Sequence, residues 1–118
     1  MAGAAYDTIR RFWAVQDDGD YTATVALFAD DALFVDPIYG TFEGRDAIGA
    51  FMEKMNTAVS AVNGVFELEE LAGDDTTAWA QWRFASDRGA RSGVGVYRVQ
   101  DGQITYYRDY MNPDEHGE

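Results

Sequence analysis

The spacing of apolar residues changes at Gly64, and this change limits the folds that are open to the chain. Before Gly64 the apolar residues recur at the i, i+3, i+4 and i+7 spacing of an amphipathic helix, at Ile48, Phe51, Met52, Met55, Val59 and Val62. Gly64 is the predicted C-cap glycine of this helix. After it come four segments rich in β-branched and aromatic residues, at 65–72, 76–86, 91–100 and 103–111. Asp101-Gly102 is typical of a two-residue hairpin turn, so the four segments are predicted to form an antiparallel meander.

The first part of the chain predicts two more helices and one short strand. Apolar residues at helical spacing predict a helix from Ala4 to about Asp17. Asp20 is the candidate N-cap of a short second helix that stops at Asp30-Asp31. Residues 32–36 form a short predicted strand, because Pro37 follows and cannot donate a hydrogen bond to a sheet. Helices that precede a sheet in the chain predict an α+β fold, in which three helices roof a curved antiparallel sheet and enclose an apolar pocket.

The charge balance and the missing cysteines narrow the available chemistry. The 118 residues fit one domain, 1–118, with an acidic tail at 112–118 that we expect to be flexible. With 9 Lys+Arg against 21 Asp+Glu the net charge is −12, which repels nucleic acid. There is no Cys, and the one histidine, His116, lies in the tail, which excludes thiol nucleophiles, catalytic triads and His-rich or thiolate metal sites. Gly93-Val94-Gly95 lacks the third glycine of a dinucleotide site.

The sequence also contains no signal for a membrane. No apolar run approaches the ~18 residues of a membrane span, and the first residues lack the basic start and apolar core of a signal peptide. We therefore expect a cytoplasmic protein with no membrane or nucleic-acid partner. The functions that these observations leave open are acid–base chemistry by carboxylates and tyrosines, or simple ligand binding.

Several short motifs occur in an order that carries a resemblance over essentially the whole chain. They are Gly19-Asp20, Leu27-Phe28-Ala29-Asp30-Asp31-Ala32, Asp36-Pro37, Gly44-Arg45-Asp46-Ala47-Ile48, Gly102-Gln103-Ile104 and Arg108-Asp109-Tyr110. In this order they resemble the NTF2-like superfamily, and within it the SnoaL-like polyketide cyclases, ketosteroid isomerases and limonene-epoxide hydrolases. The resemblance implies a cone-shaped α+β fold with an apolar cavity, often a homodimer, and usually no metal or organic cofactor. It implies the fold more firmly than the activity, since this fold carries several chemistries.

Asp36 is the first candidate catalytic residue. It ends a predicted strand between Phe34 and the apolar Ile38-Tyr39 pair, and partial desolvation there raises the pKa of a carboxyl towards that of a useful general base. Its position matches the aspartate with which ketosteroid isomerases move a proton next to a carbonyl. The alternative is an Asp-Pro turn, in which the carboxylate accepts nearby backbone N–H groups.

Asp109 is the second candidate. Strand alternation places Tyr107, Asp109 and Met111 on one face and Ile104 on the other. If the first set faces the pocket, Asp109 is a buried carboxylate opposite Asp36, and two such groups push their proton affinities apart. The position matches a cavity aspartate of the limonene-epoxide hydrolases and lies close to the catalytic aspartate of SnoaL-type cyclases. A cross-strand salt bridge or a carboxylate at a dimer face is the alternative.

The chain departs from the steroid isomerases at the oxyanion hole. The positions that match their tyrosine and their protonated acid are Phe12 and Gly95. Tyr39 and Tyr107 are therefore the candidate donors, since a neutral phenol can donate to an oxygen in an apolar site. Aromatic packing is the alternative for both. The residues predicted to form the pocket wall are Phe12, Trp13, Phe34, Phe51, Met52, Met55, Trp82, Gly95 and Met111.

The chain also departs from the epoxide hydrolases, because residues 78–84 contain no Arg-x-Asp. Gln81 and Arg83 imitate that spacing if they face the pocket. If Trp82 faces the pocket instead, both are surface residues, since a shift of one residue reverses every side chain of a strand.

These observations predict a small-molecule enzyme that acts on an apolar oxygenated substrate by carboxylate proton transfer: isomerisation, aldol-type cyclisation or dehydration. Asp36 is the expected base and Asp109 the acid or second base. One alternative is an epoxide hydrolase-like enzyme in which Asp109 positions a water with help from Gln81 or Tyr107. Another is a non-catalytic ligand-binding or interaction module. The family resemblance also implies a homodimer through the outward sheet face, at Tyr106, Arg98, Arg108 and Tyr110.

Overall fold

A computed structural model describes residues 3–17 and 19–112. The helices are Ala4–Gln16 (α1), a 3₁₀ helix at Tyr21–Leu27, and Arg45–Ala61 (α2). The strands are Phe28–Asp36 (β1), Gly40–Glu43 (β2), Val65–Gly73 (β3), Thr77–Ser86 (β4), Gly89–Gln100 (β5) and Gln103–Met111 (β6). The predicted tail at 112–118 lies, except for Asn112, outside the described residues, and so does His116.

The six strands form one curved, unclosed sheet in the order β2-β1-β6-β5-β4-β3. All neighbouring strands are antiparallel except β1 and β6, which are parallel. Helix α1 packs on β3, β4 and β5, and α2 packs on β1 and β2. The predicted α+β fold, with three helices over a curved sheet, is therefore confirmed. Among the described residues, no helix combines the length and the apolar character needed to cross a membrane.

Asp20 begins the 3₁₀ helix as predicted, and it also connects that helix to α2. Its Oδ1 accepts hydrogen bonds from the backbone N–H of Thr22 (3.0 Å) and from Nδ2 of Asn56 (3.0 Å). Asn56 Oδ1 accepts from the backbone N–H of Tyr21 (2.7 Å). The cap satisfies N–H groups that a helix start leaves without partners. The same hydrogen bonds fix the 3₁₀ helix against α2.

The first strand is longer than predicted, because it begins at Phe28 rather than at residue 32, and the preceding helix ends at Leu27 rather than at Asp30-Asp31. Arg45, at the start of α2, donates to the Phe28 carbonyl from Nε (3.0 Å) and Nη2 (2.7 Å) and pairs with Asp30 (3.0 Å). These contacts with Arg45, which is distant in the sequence, hold the start of β1 in extended form. Strand β2 was not predicted.

The end of α2 also differs from the prediction. Asn63, not Gly64, takes the left-handed conformation, with φ of 53°. Gly64 N–H donates to the Val59 carbonyl (2.8 Å) and Asn63 N–H to the Ser60 carbonyl (3.1 Å), which is the Schellman pattern of a helix end. Gly64 is needed for space instead, since a Cβ there would lie 2.5 Å from the ring of Phe84.

A bulge in β6 changes the predicted face of Ile104. Arg98 pairs with Tyr106 and Val99 with Ile104, so Thr105 is an extra residue on β6. Beyond the bulge the alternation is reversed, and Ile104 is fully buried instead of facing outward. The hairpin turn itself is as predicted, since Asp101 and Gly102 both have positive φ, 54° and 78°.

Candidate active site

A cavity of about 730 Å³ lies between the helices and the concave face of the sheet. The residues predicted for its wall that reach it are Phe12, Trp13, Phe34, Phe51, Met52, Met55, Trp82 and Met111. The four residues predicted to carry the chemistry also border it: Asp36, Tyr39, Tyr107 and Asp109. Gly95 is buried in β5, but contrary to the prediction it is not part of the wall. The cavity is therefore apolar, with a few polar groups at defined places.

Asp109 is held by two donors from different parts of the sheet. The phenol of Tyr107, on the same face of β6, donates to Oδ2 at 3.0 Å, and the indole N–H of Trp82 on β4 donates to Oδ1 at 3.2 Å. Both donors are buried aromatic side chains. The carboxyl group therefore has one fixed orientation at the cavity wall.

The surroundings of Asp109 change its acidity strongly. Burial, with a smaller contribution from the charge of Asp36, raises the pKa of Asp109 to about 7. The hydrogen bonds from Tyr107 and Trp82 act in the opposite direction, because they stabilise the carboxylate, but burial outweighs them. Asp109 is thus able to give or take a proton near neutral pH.

Two glycines of β5 allow Trp82 to reach Asp109 across the intervening strand. Gly95 pairs with Asp109, and Gly93 pairs with both Trp82 and Met111. A Cβ at Gly93 would lie 2.6 Å from the Trp82 ring, and a Cβ at Gly95 would lie 3.0 Å from Asp109 Oδ1. The Gly93-Val94-Gly95 segment, which is not a dinucleotide motif, therefore leaves a trough in which the Trp82–Asp109 hydrogen bond forms.

Tyr97, which is hydrogen-bonded to Trp13, packs against Tyr107 and holds that side chain in place beside Asp109. Tyr97 is fully buried, its hydroxyl accepts a hydrogen bond from Trp13 Nε1 (3.2 Å), and its ring stacks on Tyr107 with centroids 4.3 Å apart. Burial, together with the charge of Asp109, raises the pKa of Tyr107 well above its ordinary value, and the same causes raise the pKa of Tyr97. Both phenols therefore stay protonated at neutral pH, and Tyr107 remains a donor.

Asp36 has the turn geometry that was its alternative interpretation, and it borders the cavity as well. Its Oδ1 accepts the backbone N–H groups of Ile38 (2.8 Å) and Tyr39 (2.9 Å). Both bonds use the same oxygen, so the turn leaves Oδ2 without a hydrogen-bond donor among the described residues. The Asx turn thus fixes the carboxylate at the cavity wall.

Tyr39 and Phe12 lie at opposite depths of the cavity. Tyr39 is 59 % exposed at the mouth, and its ring packs on Phe51 with centroids 5.5 Å apart. Phe12 is fully buried, and its ring packs edge-on against Tyr97 and Tyr107, each with centroids 5.7 Å apart. The phenyl ring of Phe12 therefore supplies shape but no hydrogen bond where the steroid isomerases resembled by this chain have a tyrosine.

The structure shows which face of β4 points into the cavity, a question that the sequence leaves open. Trp82 is buried and faces the cavity, while Gln81 and Arg83 are exposed on the other face. Gln81 donates to Glu69 on β3 at 3.1 Å. Neither Gln81 nor Arg83 imitates the Arg-x-Asp pair of the epoxide hydrolases, because both lie outside the cavity.

Sequence reasoning missed three kinds of contribution to the site. It treated Trp82 as wall only, although a buried indole N–H needs an acceptor and a nearby carboxylate is the obvious one. It gives no role to Tyr97, because the register of the Asp101-Gly102 turn alone would pair Tyr97 with Tyr106, and only the bulge at Thr105 pairs it with Tyr107. It did not assign Arg88 and Arg91 to the cavity, which they border. Within residues 3–17 and 19–112, no three His, Cys, Asp or Glu side chains are grouped as metal ligands.

The fold and this cavity define an NTF2-like protein. A family model of the SnoaL-like domain matches residues 9–107, and the chain belongs to this family. No protein of curated function matches the sequence.

Solved structures share the fold at low sequence identity. Bal32a, from a soil-derived mobile gene cassette, is 20% identical with a TM-score of 0.80, over 93% of this chain and 90% of its own. A Kribbella flavida protein is 24% identical with a TM-score of 0.78, over 92% and 87%. A candidate polyketide cyclase from Sinorhizobium meliloti is 20% identical with a TM-score of 0.74, over 88% and 94%. At these identities the similarity concerns the fold.

Proposed function

We propose that the protein is an enzyme that moves a proton next to a carbonyl group of an apolar small molecule, as in isomerisation, aldol-type cyclisation or dehydration. The observation that carries this proposal is Asp109: a carboxyl with a pKa of about 7, oriented by two donors inside an apolar cavity. A group with this acidity is efficient as a general acid or base near neutral pH. The candidate cyclase among the structural neighbours is consistent with this class of reaction.

The two aspartates take different parts in this mechanism. Asp36 is the base: its turn-fixed carboxylate takes the proton from the carbon next to the carbonyl, so that a C–H bond breaks. Protonated Asp109 is the acid: it donates its proton to the carbonyl oxygen as negative charge develops there. The product of this step is an enol, and return of a proton to a different atom gives the rearranged product.

The position of Asp109 also compensates for the missing acid at Gly95. A Cβ at Gly95 would lie 3.0 Å from Asp109 Oδ1, so the Asp109 carboxyl occupies the space into which a side chain at Gly95 would extend. In this proposal the protonated form of Asp109 takes the part of the acid that the steroid isomerases have at this place, and it comes from the neighbouring strand. Tyr107 holds this acid, and Tyr39 at the mouth is the second proposed donor.

Hydrogen exchange with solvent tests the proposal without a known substrate. A panel of apolar ketones is incubated with the protein in D₂O near neutral pH, and deuterium uptake next to the carbonyl is followed by NMR. We expect wild-type protein to accelerate uptake for some ketones, and Asp36→Asn and Asp109→Asn each to lower that rate by about 10²–10⁴-fold. Glu67→Gln, which removes an exposed carboxylate of β3, is the matched control and should exchange at the wild-type rate.

Two results contradict the assignment. Full exchange rates in both aspartate variants would remove Asp36 and Asp109 from the mechanism. Turnover of an apolar epoxide or ester to a product that carries labelled oxygen from water would instead show hydrolysis, with Asp109 positioning the water.

A further inference from the structure

Two arginines lie at the mouth of an otherwise mostly apolar cavity. Of the nine Lys and Arg residues, all within the described part of the chain, Arg88 and Arg91 are those that border the cavity. They belong to the β4–β5 hairpin, and both are exposed. The chain has a net charge of −12, so two positively charged side chains at one opening differ in sign from the molecule as a whole.

The hairpin that carries them is fixed against the end of α2. Asp87 N–H donates to the Val62 carbonyl at 2.9 Å, and Asn63 Nδ2 donates to Asp87 Oδ2 at 2.6 Å. Arg88 N–H donates to Ser86 Oγ at 3.1 Å. Asp87, the acidic residue next to Arg88 in the sequence, is therefore hydrogen-bonded to Asn63. The hairpin holds Arg88 at the opening of the cavity.

Arg91 is on the concave face of the sheet. It alternates with Gly93 and Gly95, which are buried on that face, and it pairs with Phe84, which borders the cavity. The arginines of the convex face are engaged in another way: Arg98 and Arg108 lie over tyrosine rings, at 4.9 and 5.0 Å from their centroids.

Neither mouth arginine has a carboxylate within salt-bridge distance among the described residues. The ion pair formed within the described part of the chain is between Arg45 and Asp30. A guanidinium at a ligand entrance that its own protein does not neutralise can bind a carboxylate, sulfonate or phosphate through two parallel hydrogen bonds.

The cavity therefore has a cationic end and an acidic end. Asp109 pairs with Gly95, which is four residues from Arg91 along β5, or roughly 13 Å of strand. Between these ends the wall is largely aromatic and aliphatic. An anionic group of a ligand is attracted to the arginines and not to Asp109, so charge fixes the orientation of the ligand in the cavity.

We propose that Arg88 and Arg91 bind a terminal anionic group of the substrate, whose apolar body fills the cavity and whose carbonyl reaches Asp109. This proposal deepens the proposed function, because it defines the substrate class as an amphipathic acid that carries its carbonyl and its anionic group at opposite ends of an apolar body. The anion orients the molecule and contributes binding energy remote from the reacting carbon.

A matched pair of fluorescent probes tests the proposal. 1-Anilinonaphthalene-8-sulfonate and N-phenyl-1-naphthylamine have the same aromatic body, but the first carries a sulfonate and the second is neutral. We expect the Arg88→Gln/Arg91→Gln double variant to bind the sulfonate probe about tenfold more weakly or worse, as loss of a charge-assisted hydrogen bond implies. Its affinity for the neutral probe should stay within about twofold of wild type, and 0.5 M salt should weaken the sulfonate probe alone.

The control variant is Arg83→Gln/Arg98→Gln, which removes the same charge from exposed residues outside the cavity. It should bind both probes as wild type does. The proposal is overturned if the mouth variant keeps its affinity for the sulfonate probe, if it loses both probes in parallel, or if the control variant loses the sulfonate probe equally. Neither probe is turned over, so this result is independent of ketone exchange, and the two proposals can fail separately.

Discussion

The acidity of Asp109 is the residue-scale property on which the proposed chemistry depends. The same residue type is ordinary elsewhere in the chain: hydrogen bonds from Thr22 and Asn56 lower the pKa of the exposed Asp20, whereas burial raises that of Asp109 to about 7. The difference comes from the surroundings of the carboxyl, because a low-dielectric wall penalises the charged form more than two donors stabilise it. Keeping such a carboxyl at the desolvated wall of the cavity has a cost in stability.

That cost predicts how the stability difference between wild type and Asp109→Asn changes with pH. The pKa of Asp109 is about 7 in the folded protein and near 3.8 in the unfolded chain. Between these values the unfolded chain has lost the proton that the folded protein keeps, so wild-type stability falls as pH rises from about 4 to about 7. We expect Asp109→Asn to gain up to about 4 kcal/mol relative to wild type between pH 4 and pH 8.

Urea unfolding of both proteins at pH 4, 6 and 8 measures this difference directly. Other titrating groups cancel in the comparison, because the two proteins differ at one residue. A stability difference that does not change between pH 4 and pH 8 would mean that Asp109 titrates like an exposed carboxyl. Glu67→Gln, at an exposed residue of β3, should show no such trend.

At the scale of single elements, the site depends on how β4, β5 and β6 lie in register. Gly93 and Gly95 remove two side chains from the concave face of β5, and Trp82 of β4 reaches Asp109 of β6 through that space. The bulge at Thr105 leaves Tyr107 and Asp109 on the cavity side while it turns Ile104 into the core. Strand pairing, rather than any one motif, brings the polar groups together.

This arrangement predicts opposite effects of the same substitution at two glycines. Gly95→Ala places a methyl group 2.9 Å from the Tyr97 hydroxyl and 3.0 Å from Asp109 Oδ1, and we expect it to lower the free energy of unfolding by about 1–3 kcal/mol. Gly49→Ala lies inside α2, where the added Cβ meets Val25 at an ordinary 3.8 Å. There we expect a gain of about 0.5–1 kcal/mol, because alanine favours the helix.

Chemical denaturation of the two variants measures both changes in the free energy of unfolding, the decrease for Gly95→Ala and the increase for Gly49→Ala. The total tryptophan fluorescence, to which Trp82 contributes, should change in Gly95→Ala and not in Gly49→Ala, since only the first touches the trough. Equal stability of the two variants would contradict the tight packing around Gly95.

For the whole molecule, the three helices cover one face of the sheet and leave the other face open. The concave face becomes the cavity, and the convex face presents Tyr110, which is 51 % exposed, and Trp79, which is 37 % exposed. On the same convex side Arg98 lies over Tyr106 and Arg108 over Tyr110. The homodimer implied by the family resemblance would use this face, and it stays a prediction.

Light scattering tests that prediction. We expect a mass twice the 13.1 kDa of one chain, and we expect Tyr110→Glu to shift it towards the monomer, because a charged side chain replaces an exposed aromatic ring of this face. Lys54→Glu, on the exposed side of α2, makes a larger charge change away from the sheet and should leave the mass unchanged. A monomeric wild-type protein would refute the dimer.

The sequence by itself determined the features that depend on neighbours along the chain. Helix periodicity and the Asp20 cap predict α1, the 3₁₀ helix and α2, and the turn residues predict the β3–β6 meander. Local rules and the family resemblance together select Asp36 and Asp109 among 21 acidic residues, because one precedes a proline, the other lies on an alternating strand face, and both positions match aspartates of the family. The predictions failed where a distant contact overrides local preference, as when Arg45 extends β1 to Phe28.

Tertiary structure alone decided the inward face of β4, the Trp82–Asp109 hydrogen bond and the cationic mouth. Each depends on strand register, and a shift of one residue would exchange Trp82 for Gln81 at the cavity wall. The pKa of Asp109 depends on burial by residues from β4, β5 and β6 together with the charge of Asp36. Desolvation and charge act through space, so chemistry of this kind exists only once the sheet has brought those groups within a few ångströms of one another.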